Sequence, residues 1–353
     1  MLQSRLHRLK ARPETVTWGF FDNSLEPVLR IKSGDIVLLE TITHHAGDAP
    51  EYLMDEGVKR IYDAIPIEER GPGVHIITGP IYVEGASSGD VLECRILDLT
   101  PRVPYGINFA ANWGLFYEDF EETEYVTLFE IDELNNIAEA VFYYKFPGVL
   151  IQPGPITPSS KIKKLTSLRG VRIPLNYHLG TAGVASAKSG SVDSNPPGIF
   201  GGNIDNCNFG VGSSMYLPVQ VEGALFAAGD PHLTQGNGEI AGTAIEGHLN
   251  ATIQLCLRRD IKINNPVLET KTHWITHGFD RDLNESMRLA AKEMIYFLVS
   301  NWGLSEIEAY TLLSIAGDFV ITQVVNQEQG VHCSLRKDVL PVGKKRRMEA
   351  EDK

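Results

Sequence analysis

The stretch LNATIQLCLRRDIKI, residues 249–263, has the clearest periodicity in the chain. Leu249, Ala251 and Ile253 are apolar and each is followed by a polar residue, with one slip in the alternation near Cys256. A period of two residues is that of a β-strand with one buried face. The stretch therefore predicts a strand that packs one side against a hydrophobic core.

Similar short apolar runs recur between turn-forming residues along the rest of the chain. The 33 glycines and 19 prolines are spread evenly, as in proteins built from many short strands. The further predicted strands are 35–42, 75–85, 90–99, 148–154, 215–229 and 317–326. This pattern predicts a mostly β fold with a body like a β-sandwich or a β-barrel.

Helices are few and concentrate near the end of the sequence. The pattern predicts one helix over 283–301, where Asp282 is the expected N-cap and Gly303 follows the expected end. A second helix is predicted over 306–314, and a further one over 52–63. The last part of the chain is thus expected to be a smaller α+β portion.

We expect one domain over residues 1–340. Its β-rich body spans about 1–263 and carries the candidate metal site, and its α+β portion spans about 264–340. The remaining residues, 341–353, mix both signs of charge with little to bury, so we expect a disordered tail.

Composition narrows the class of function. The chain has 353 residues and a formal net charge of −13, which disfavours nucleic acid and anionic membranes as partners. No stretch approaches the ~20 apolar residues that span a bilayer, and the basic N-terminus lacks the apolar core of a secretory signal. The four cysteines form no CxxC pair, which argues against a zinc knuckle. We therefore expect a cytoplasmic globular protein.

Ionisable residues cluster in GDPHLTQGNGEIAGTAIE, residues 229–246. Asp230 and His232 are two positions apart, so an extended backbone places both side chains on the same face. Carboxylate oxygen and imidazole nitrogen are ordinary ligands of divalent metals. The alternative is a turn aspartate beside a surface histidine.

Asp205 lies near the end of a second glycine-rich stretch, FGGNIDN. A ligand from this separate loop would complete a site with three protein ligands and one open position, the arrangement of hydrolytic metal sites. The alternative is an Asx turn.

Glu239 follows the pliable segment Gly-Asn-Gly, which could present its carboxylate to a cleft. Beside a metal, such a carboxylate would act as a general base and then as an acid; the alternative is an exposed loop residue. Glu246 would orient a ligand or face solvent. Asn203 and Gln235 are candidate donors to an oxyanion.

His44, His45 and His75 lie at the ends of predicted strands, where binding sites are often built. They are candidates for substrate contact or for support of the metal ligands, although a lone histidine is more often structural. The sequence has no GxSxG elbow, which disfavours a serine hydrolase.

Four blocks together resemble the acetamidase/formamidase family, in the order in which that family has them. They are TGPIYVEGASSGDVLE (78–93), FGGNIDNCNF (200–209), LPVQVEGALFAAGDPHLTQGNGEIAGTAIE (217–246) and LLSIAGDFVITQVVN (312–326). The resemblance covers roughly residues 10–335. It implies a β-rich fold with an α+β portion, a bound divalent metal and a homo-oligomer, a dimer or higher.

The resemblance also assigns residues. It implies that Asp205, Asp230 and His232 are metal ligands and that Glu239 is catalytic. The sequence departs from the family pattern at Leu233-Thr234 and at Asn237, which leaves the substrate open.

The leading hypothesis is a metal-dependent hydrolase of the carbon–nitrogen bond in small amides such as formamide and acetamide. Zinc is the favoured ion, with calcium and manganese as alternatives. Two other hypotheses stay open: a hydrolase of lactams, other cyclic amides or amidines, and a non-catalytic metal-containing binding protein on the same scaffold.

Overall fold

Two large β-sheets account for most of the chain in the computed structural model, which describes residues 4–341. One sheet has nine strands, the other has eleven, and a third small sheet has two. The strands, in chain order, are β1 Leu6–Leu9, β2 Val16–Trp18, β3 Phe20–Phe21, β4 Leu29–Lys32, β5 Ile36–Thr41, β6 Ile76–Glu84, β7 Val91–Pro101, β8 Tyr105–Ala110, β9 Tyr125–Asp132, β10 Ile137–Lys145, β11 Ile173–Pro174, β12 His178–Gly183, β13 Val192–Asp193, β14 Gly201–Asn203, β15 Ser214–Pro218, β16 Phe226–Thr234, β17 Ile245–Glu246, β18 Leu249–Arg258, β19 Val267–Glu269, β20 His273–Asp280, β21 Gly317–Gln323 and β22 Gln329–Arg336. The mostly β fold expected from the sequence is confirmed.

The sheets are largely antiparallel. The nine-stranded sheet has the order β1-β5-β18-β7-β15-β19-β20-β22-β21. The eleven-stranded sheet has the path β11-β10-β9-β8-β17-β16-β12-β14, and β6 joins it through β16 and also pairs with β2 and β4. The small sheet pairs β13 with β3.

The main hydrophobic core lies between the inner faces of the two large sheets. Val37 and Ile253 of the nine-stranded sheet belong to the same buried cluster as Ile77 and Phe226 of the eleven-stranded sheet. From Leu249 to Leu255 every second side chain of β18 is buried, as its alternation predicts. Full burial of such an aliphatic side chain contributes about 1.5–3 kcal/mol, so this alternation fixes the face that β18 turns to the core.

The helices are short or lie near the end of the chain. The α-helices are α1 Pro50–Leu53, α2 Glu56–Ala64, α3 Leu283–Trp302 and α4 Glu306–Ala316, and the 3-10 helices are η1 His44–Asp48, η2 Ile67–Glu69, η3 Glu118–Phe120, η4 Ser159–Lys161 and η5 Lys337–Val339. Asp282 caps α3 by accepting from the N–H of Asn284, and Gly303 ends it at a φ of 71°. In the described part of the chain, none of the helices has the length and apolar character needed to cross a membrane.

The α+β portion shares a sheet with the β-rich body. Strands β19 to β22 extend the nine-stranded sheet beyond β15. Met294 and Phe297 of α3 belong to a buried cluster with Val331 and Leu335 of β22, so the helix covers one face of this extension. The predicted division at about residue 263 therefore falls within one continuous sheet.

Three local predictions were wrong. Residues 148–154 form no strand. Pro147 precedes the run, Pro153 lies within it, and Ile151 is exposed instead of entering a core. The single strand predicted over 215–229 is two strands, because the chain leaves one large sheet at β15 and joins the other at β16. The helix predicted over 52–63 is split into α1 and α2. The tail predicted over 341–353 lies outside the described residues, apart from Pro341.

Candidate functional site

Strand β12 lies at the centre of the candidate site. It pairs with β14 on one side and with β16 on the other, so that Thr181 lies opposite both Asn203 and Gly229. Asp205 comes just after β14, and Asp230 lies in β16. Two segments that are distant in sequence therefore place their aspartates on either side of β12.

Three of the acidic residues have left-handed backbone conformations. The φ angles are 53° for Asp205, 53° for Asp230 and 48° for Glu239. Residues other than glycine rarely adopt such angles, and when they do they are often found at functional sites. These angles turn the carboxyl groups out of the regular strand alternation.

Gly180 of β12 provides the space in which the side chains meet. A Cβ at this position would lie 2.4 Å from Asp230 Oδ2, 2.5 Å from Asp205 Oδ1 and 2.7 Å from His232 Cε1. All three distances are too short for a carbon atom. Only glycine at position 180 lets both aspartates and the histidine approach one another this closely.

His232 Nε2 lies at the centre of the cluster. It is 3.2 Å from Asp230 Oδ2, 3.2 Å from Glu246 Oε1 and 3.9 Å from Asp205 Oδ1. Ligand atoms of Asp205, Asp230 and His232 all lie within 4.8 Å of one another, and so do those of His232, Glu239 and Glu246. Each of these five side chains is buried. Both sets could hold a metal ion.

The other nitrogen of His232 fixes the tautomer of the ring. Gln235 donates its Nε2 to the carbonyl of Asp205, so its Oε1, 3.0 Å from His232 Nδ1, is an acceptor. His178 Nε2 lies beside the same two groups, 3.1 Å from His232 Nδ1 and 2.9 Å from Gln235 Oε1. His232 Nδ1 therefore carries a proton, and a neutral His232 turns the lone pair of Nε2 toward the carboxylates.

The electrostatics of the cluster follow from burial and from the shortage of positive charge. Burial and the neighbouring Asp230 raise the pKa of Asp205 to about 7. Burial and Asp205 raise the pKa of Glu239 well above its usual range. Burial alone would raise the pKa of Asp230, but His232 and His75 overcome it and hold this pKa well below its usual range. Burial opposes protonation of His232, yet Glu246 and Asp230 raise its pKa.

The cluster opens into a cavity of about 180 Å³. Asn203, His44, His45 and His75 line it together with the acidic residues. His75 Nδ1 lies 3.0 Å from Ser194 Oγ, and its Nε2 lies 3.8 Å from Asp230 Oδ2.

The side chains that could balance the acids of this cavity are histidines. No lysine or arginine is found among the lining residues in the described part of the chain. Two carboxylate oxygens, Asp205 Oδ1 and Glu246 Oε2, are buried without a hydrogen-bond partner. Buried carboxylate oxygens normally have partners, so the cluster is short of cations.

Comparison with known proteins places the chain in a family. Residues 16–336 match the model of a protein family described as "Acetamidase/Formamidase family". The chain belongs to the acetamidase/formamidase family. The resemblance carried by the four sequence blocks is thereby confirmed.

This acetamidase/formamidase family member is similar in sequence to curated proteins and in structure to proteins with solved structures. It is 31% identical over 202 residues to the acetamidase of Mycolicibacterium smegmatis, covering 47% of this chain and 49% of that protein. It is 30% identical over 228 residues to the formamidase of Methylophilus methylotrophus, covering 56% of each. The chain thus spans about half the length of the curated relatives it matches. The crystal structure of an acetamidase from Bacillus halodurans is similar over 94% of this chain and 98% of that one, with a TM-score of 0.74 and 29% identity.

The structure of this family member brings most of the predicted site residues together. Asp205, Asp230, His232, Glu239 and Glu246 form the cluster, and Asn203, His44, His45 and His75 line the same cavity. Gln235 is not among the lining residues. It lies behind His232, where it bridges that ring to the backbone of Asp205.

Sequence reasoning missed several residues of the site. Asn326, which follows β21, donates its Nδ2 to Asp205 Oδ2 and, over 3.3 Å, to the carbonyl of Asn203. It is the last residue of the block 312–326, so the resemblance could have pointed to it. Gly180 and His178 had no such indication, because β12 shows no distinctive spacing of chemical groups.

Proposed function

We propose that this chain hydrolyses the carbon–nitrogen bond of short amides, releasing ammonia and a carboxylate, at the cavity that holds Asp205, Asp230, His232 and Glu239. One observation carries the proposal: four buried carboxyl groups converge on a single imidazole, in a member of the acetamidase/formamidase family. Its relatives from Mycolicibacterium smegmatis and Methylophilus methylotrophus are named acetamidase and formamidase.

The donor set fits a divalent metal. Asp205 Oδ1 has no hydrogen-bond partner, the lone pair of His232 Nε2 faces carboxylates, and Gly180 leaves the space among them clear. Such an arrangement is unfavourable unless a cation or extra protons balance it. We infer that Asp205, Asp230 and His232 would hold the ion.

Zinc is our proposed ion, because two carboxylates and one imidazole are ordinary ligands for it. Calcium and manganese are alternatives, since both favour oxygen ligands and Glu239 and Glu246 add further carboxylates. When bound, a divalent ion supplies Lewis acidity, which polarises the amide carbonyl and makes water easier to deprotonate.

The side chains of the chain supply the remaining functions. Glu239 lines the cavity with a raised pKa, which suits a general base that works near neutral pH. Asn203 accepts at Oδ1 from the hydroxyl of Thr181, so its Nδ2 is left as a donor for the negatively charged oxygen of the tetrahedral intermediate.

The size of the cavity supports a short substrate. About 180 Å³ is well below the roughly 300 Å³ at which pockets for drug-sized ligands begin. Trp113 and Val325 contribute apolar wall, which suits the methyl group of acetamide. The homo-oligomeric state and the cytoplasmic location expected from the sequence stay predictions.

An ammonia-release assay combined with metal analysis tests the proposal. The wild type should contain about one divalent ion per chain and release ammonia from formamide, acetamide or propionamide. Asp230→Ala and His232→Ala should lose both the ion and the activity. Glu239→Gln should keep the ion and lose about 10²- to 10⁴-fold in turnover, because only the proton acceptor is removed.

His7→Gln provides a matched control. His7 Nε2 pairs with Asp35 Oδ2 at 2.9 Å on the edge strand β1, outside the cavity, so this variant should keep its ion and its turnover. Full activity in Asp230→Ala and His232→Ala would refute the ligand assignment. A wild type that binds metal but turns over no amide would support a binding protein, and turnover of 2-pyrrolidinone alone would support a lactam hydrolase.

A further inference from the structure

A further histidine–carboxylate pair adjoins the same cavity, which His45 lines. His45 and Asp48 belong to the 3-10 helix η1, and His45 Nδ1 lies 2.8 Å from Asp48 Oδ2. Both residues are 2% exposed. The roles proposed above for the acidic cluster leave this pair unused.

The contacts of the pair fix how the imidazole is turned. Burial raises the pKa of Asp48, against the hydrogen bond and the charge of His45, which lower it. In its ionised form the carboxylate only accepts, so His45 Nδ1 then donates to Asp48. The N–H of His45 donates to Thr43 Oγ1 over 3.1 Å, and the Tyr144 hydroxyl donates to the carbonyl of Asp48 over 2.6 Å. The ring also packs edge-on against Phe109, with ring centroids 5.4 Å apart. The helix and the ring are therefore held from several sides.

The opposite nitrogen of this ring is unpaired. His45 Nε2 is buried and has no hydrogen-bond partner among the described residues, and His45 lines the cavity that also holds Glu239. A buried nitrogen without a partner is unfavourable unless a ligand supplies one. Its position in the cavity wall makes the substrate the natural partner.

Amide hydrolysis needs a proton donor at the leaving nitrogen, because an amide anion is too basic to leave. Glu239, as the proposed base, is occupied with the proton of the attacking water. We propose that His45, oriented by Asp48, is the general acid that protonates the leaving nitrogen. This inference rests on the amide hydrolysis proposed above.

The step balances in atoms and charge. The oxygen of water bonds to the carbonyl carbon while Glu239 takes its proton, which gives a tetrahedral intermediate. The carbon–nitrogen bond then breaks, the electron pair goes to nitrogen, and nitrogen takes the proton of His45 Nε2. Ammonia then leaves. The proton held by Glu239 passes to His45 Nε2 by way of the departing products, so that both side chains regain their starting protonation states.

The charges around His45 support this role. Burial opposes protonation, but the hydrogen bond and the charge of Asp48 overcome it, so the pKa of His45 is raised. Glu246 and Asp230 act in the same direction. His44, on the same helix, and His75 line the same cavity, and burial lowers the pKa of both. Of these three histidines, His45 is thus the one whose surroundings favour the protonated form.

Leaving-group dependence distinguishes a general acid from a structural residue. Turnover of acetamide should be compared with that of acetohydroxamic acid, whose leaving hydroxylamine is much less basic than ammonia. The turnover of acetamide should fall by about 10²- to 10³-fold in His45→Gln, and the turnover of the hydroxamate should fall clearly less. Asp48→Asn keeps the shape of the side chain that contacts His45. Its acetamide turnover should fall by about tenfold, and its hydroxamate turnover should again fall less.

Two further measurements keep the test decisive. Imidazole added to His45→Ala should restore part of the acetamide turnover with saturation, while the metal content stays that of the wild type. His7→Gln, which disrupts a histidine–aspartate pair outside the cavity, should keep the wild-type ratio of the turnover of the two substrates. If His45→Gln fails to fold, Asp48→Asn decides by the same ratio.

The outcomes separate this inference from the proposed function. A wild type that releases ammonia from no amide refutes the function itself. An active wild type whose His45→Gln variant keeps its acetamide turnover refutes only the role of His45. The role is equally refuted if the variant loses both substrates to the same extent and imidazole restores nothing.

Discussion

Two groups of buried acids in this molecule are balanced in opposite ways. In the nine-stranded sheet, Glu93 is 3% exposed, and both of its carboxylate oxygens accept from guanidinium groups. Arg95 Nε donates to Oε1 over 2.8 Å, and Arg258 Nη1 donates to Oε2 over 2.7 Å. Burial would raise the pKa of Glu93, but the two arginines overcome it and lower this pKa.

The cluster around His232 is just as deeply buried but has no arginine or lysine in its cavity, within the residues that the structure describes. Unlike Glu93, the residues Asp205, Glu239 and Glu246 have raised pKa values, and burial is the largest cause in each case. Glu93 thus has its counter-charges within the chain, whereas the function proposed above assigns the balance of these carboxylates to a cation from solution.

Gly180→Ala should produce the largest effect. The added Cβ would push apart Asp205, Asp230 and His232, from whose atoms it would lie 2.4 to 2.7 Å. We expect metal affinity to fall by about 100-fold or more, and amide turnover to fall with it. Metal titration of the stripped protein and the ammonia assay measure the two effects.

A matched glycine variant separates this effect from simple destabilisation. Gly34 has a φ of 93° in the turn before β5, and a Cβ there would meet nothing within 4 Å. Gly34→Ala should cost about 1–2 kcal/mol of stability through backbone strain and leave metal affinity unchanged. Wild-type affinity in Gly180→Ala would contradict the proposed packing of the ligands.

The pH dependence of stability should have opposite signs in the two groups. Asp205 has a folded-state pKa of about 7, above its unfolded value of 3.8, so the folded state binds more protons than the unfolded one between these values. The metal-stripped protein should therefore lose stability as the pH rises from about 4 through 7. His232, whose pKa is also raised, continues this loss above its unfolded value of 6.5.

Metal should counteract that loss, since it binds the deprotonated ligands. The difference in Tm between metal-loaded and stripped protein should widen by several degrees between pH 5.5 and pH 8, as followed by thermal denaturation. A stripped protein that becomes more stable over this interval would show that the acids are balanced within the chain.

Glu93→Gln should have the smallest effect. Arg95 and Arg258 are 40% and 26% exposed, so solvent screens their attraction to Glu93. We expect a loss of about 1–2 kcal/mol in the free energy of unfolding at pH 7, measured with urea, and unchanged amide turnover. The lowered pKa means that this contribution is present above pH 4.5 and is lost as the pH falls through the folded-state pKa. A change in turnover would argue that Glu93 and the cluster are coupled.

The elements that the sequence predicted well are those whose information is local. The alternation of 249–263 gave strand β18, and Asp282 with Gly303 marked the ends of helix α3. The run 215–229 was misjudged because its apolar residues serve two different sheets. Between them, Ala224 and Leu225 have φ angles of 60° and 54°, and this break cannot be seen in hydrophobicity.

Some residues of the candidate site could be recognised from the sequence, and others depend on contacts that only the fold creates. Asp205, Asp230, His232 and Glu239 stood out because their residue types have chemistry of their own. Gly180 acts through the absence of a side chain, and Asn326 acts only through its contact with Asp205. Both depend on which strands become neighbours, so a single sequence could not distinguish them from other glycines and asparagines.

The contacts that hold Asp205 and Glu239 also set an order of events during synthesis. Asn326 donates to Asp205, and Gly238, next to Glu239, exchanges backbone hydrogen bonds with Thr322 and Val324. A ribosome must therefore deliver residues 322–326 before these carboxylates gain their last supports. A nascent or truncated chain that ends before residue 322 carries every acidic side chain of the cluster, yet it lacks the hydrogen bonds from residues 322–326 that hold Asp205 and the backbone beside Glu239 in place.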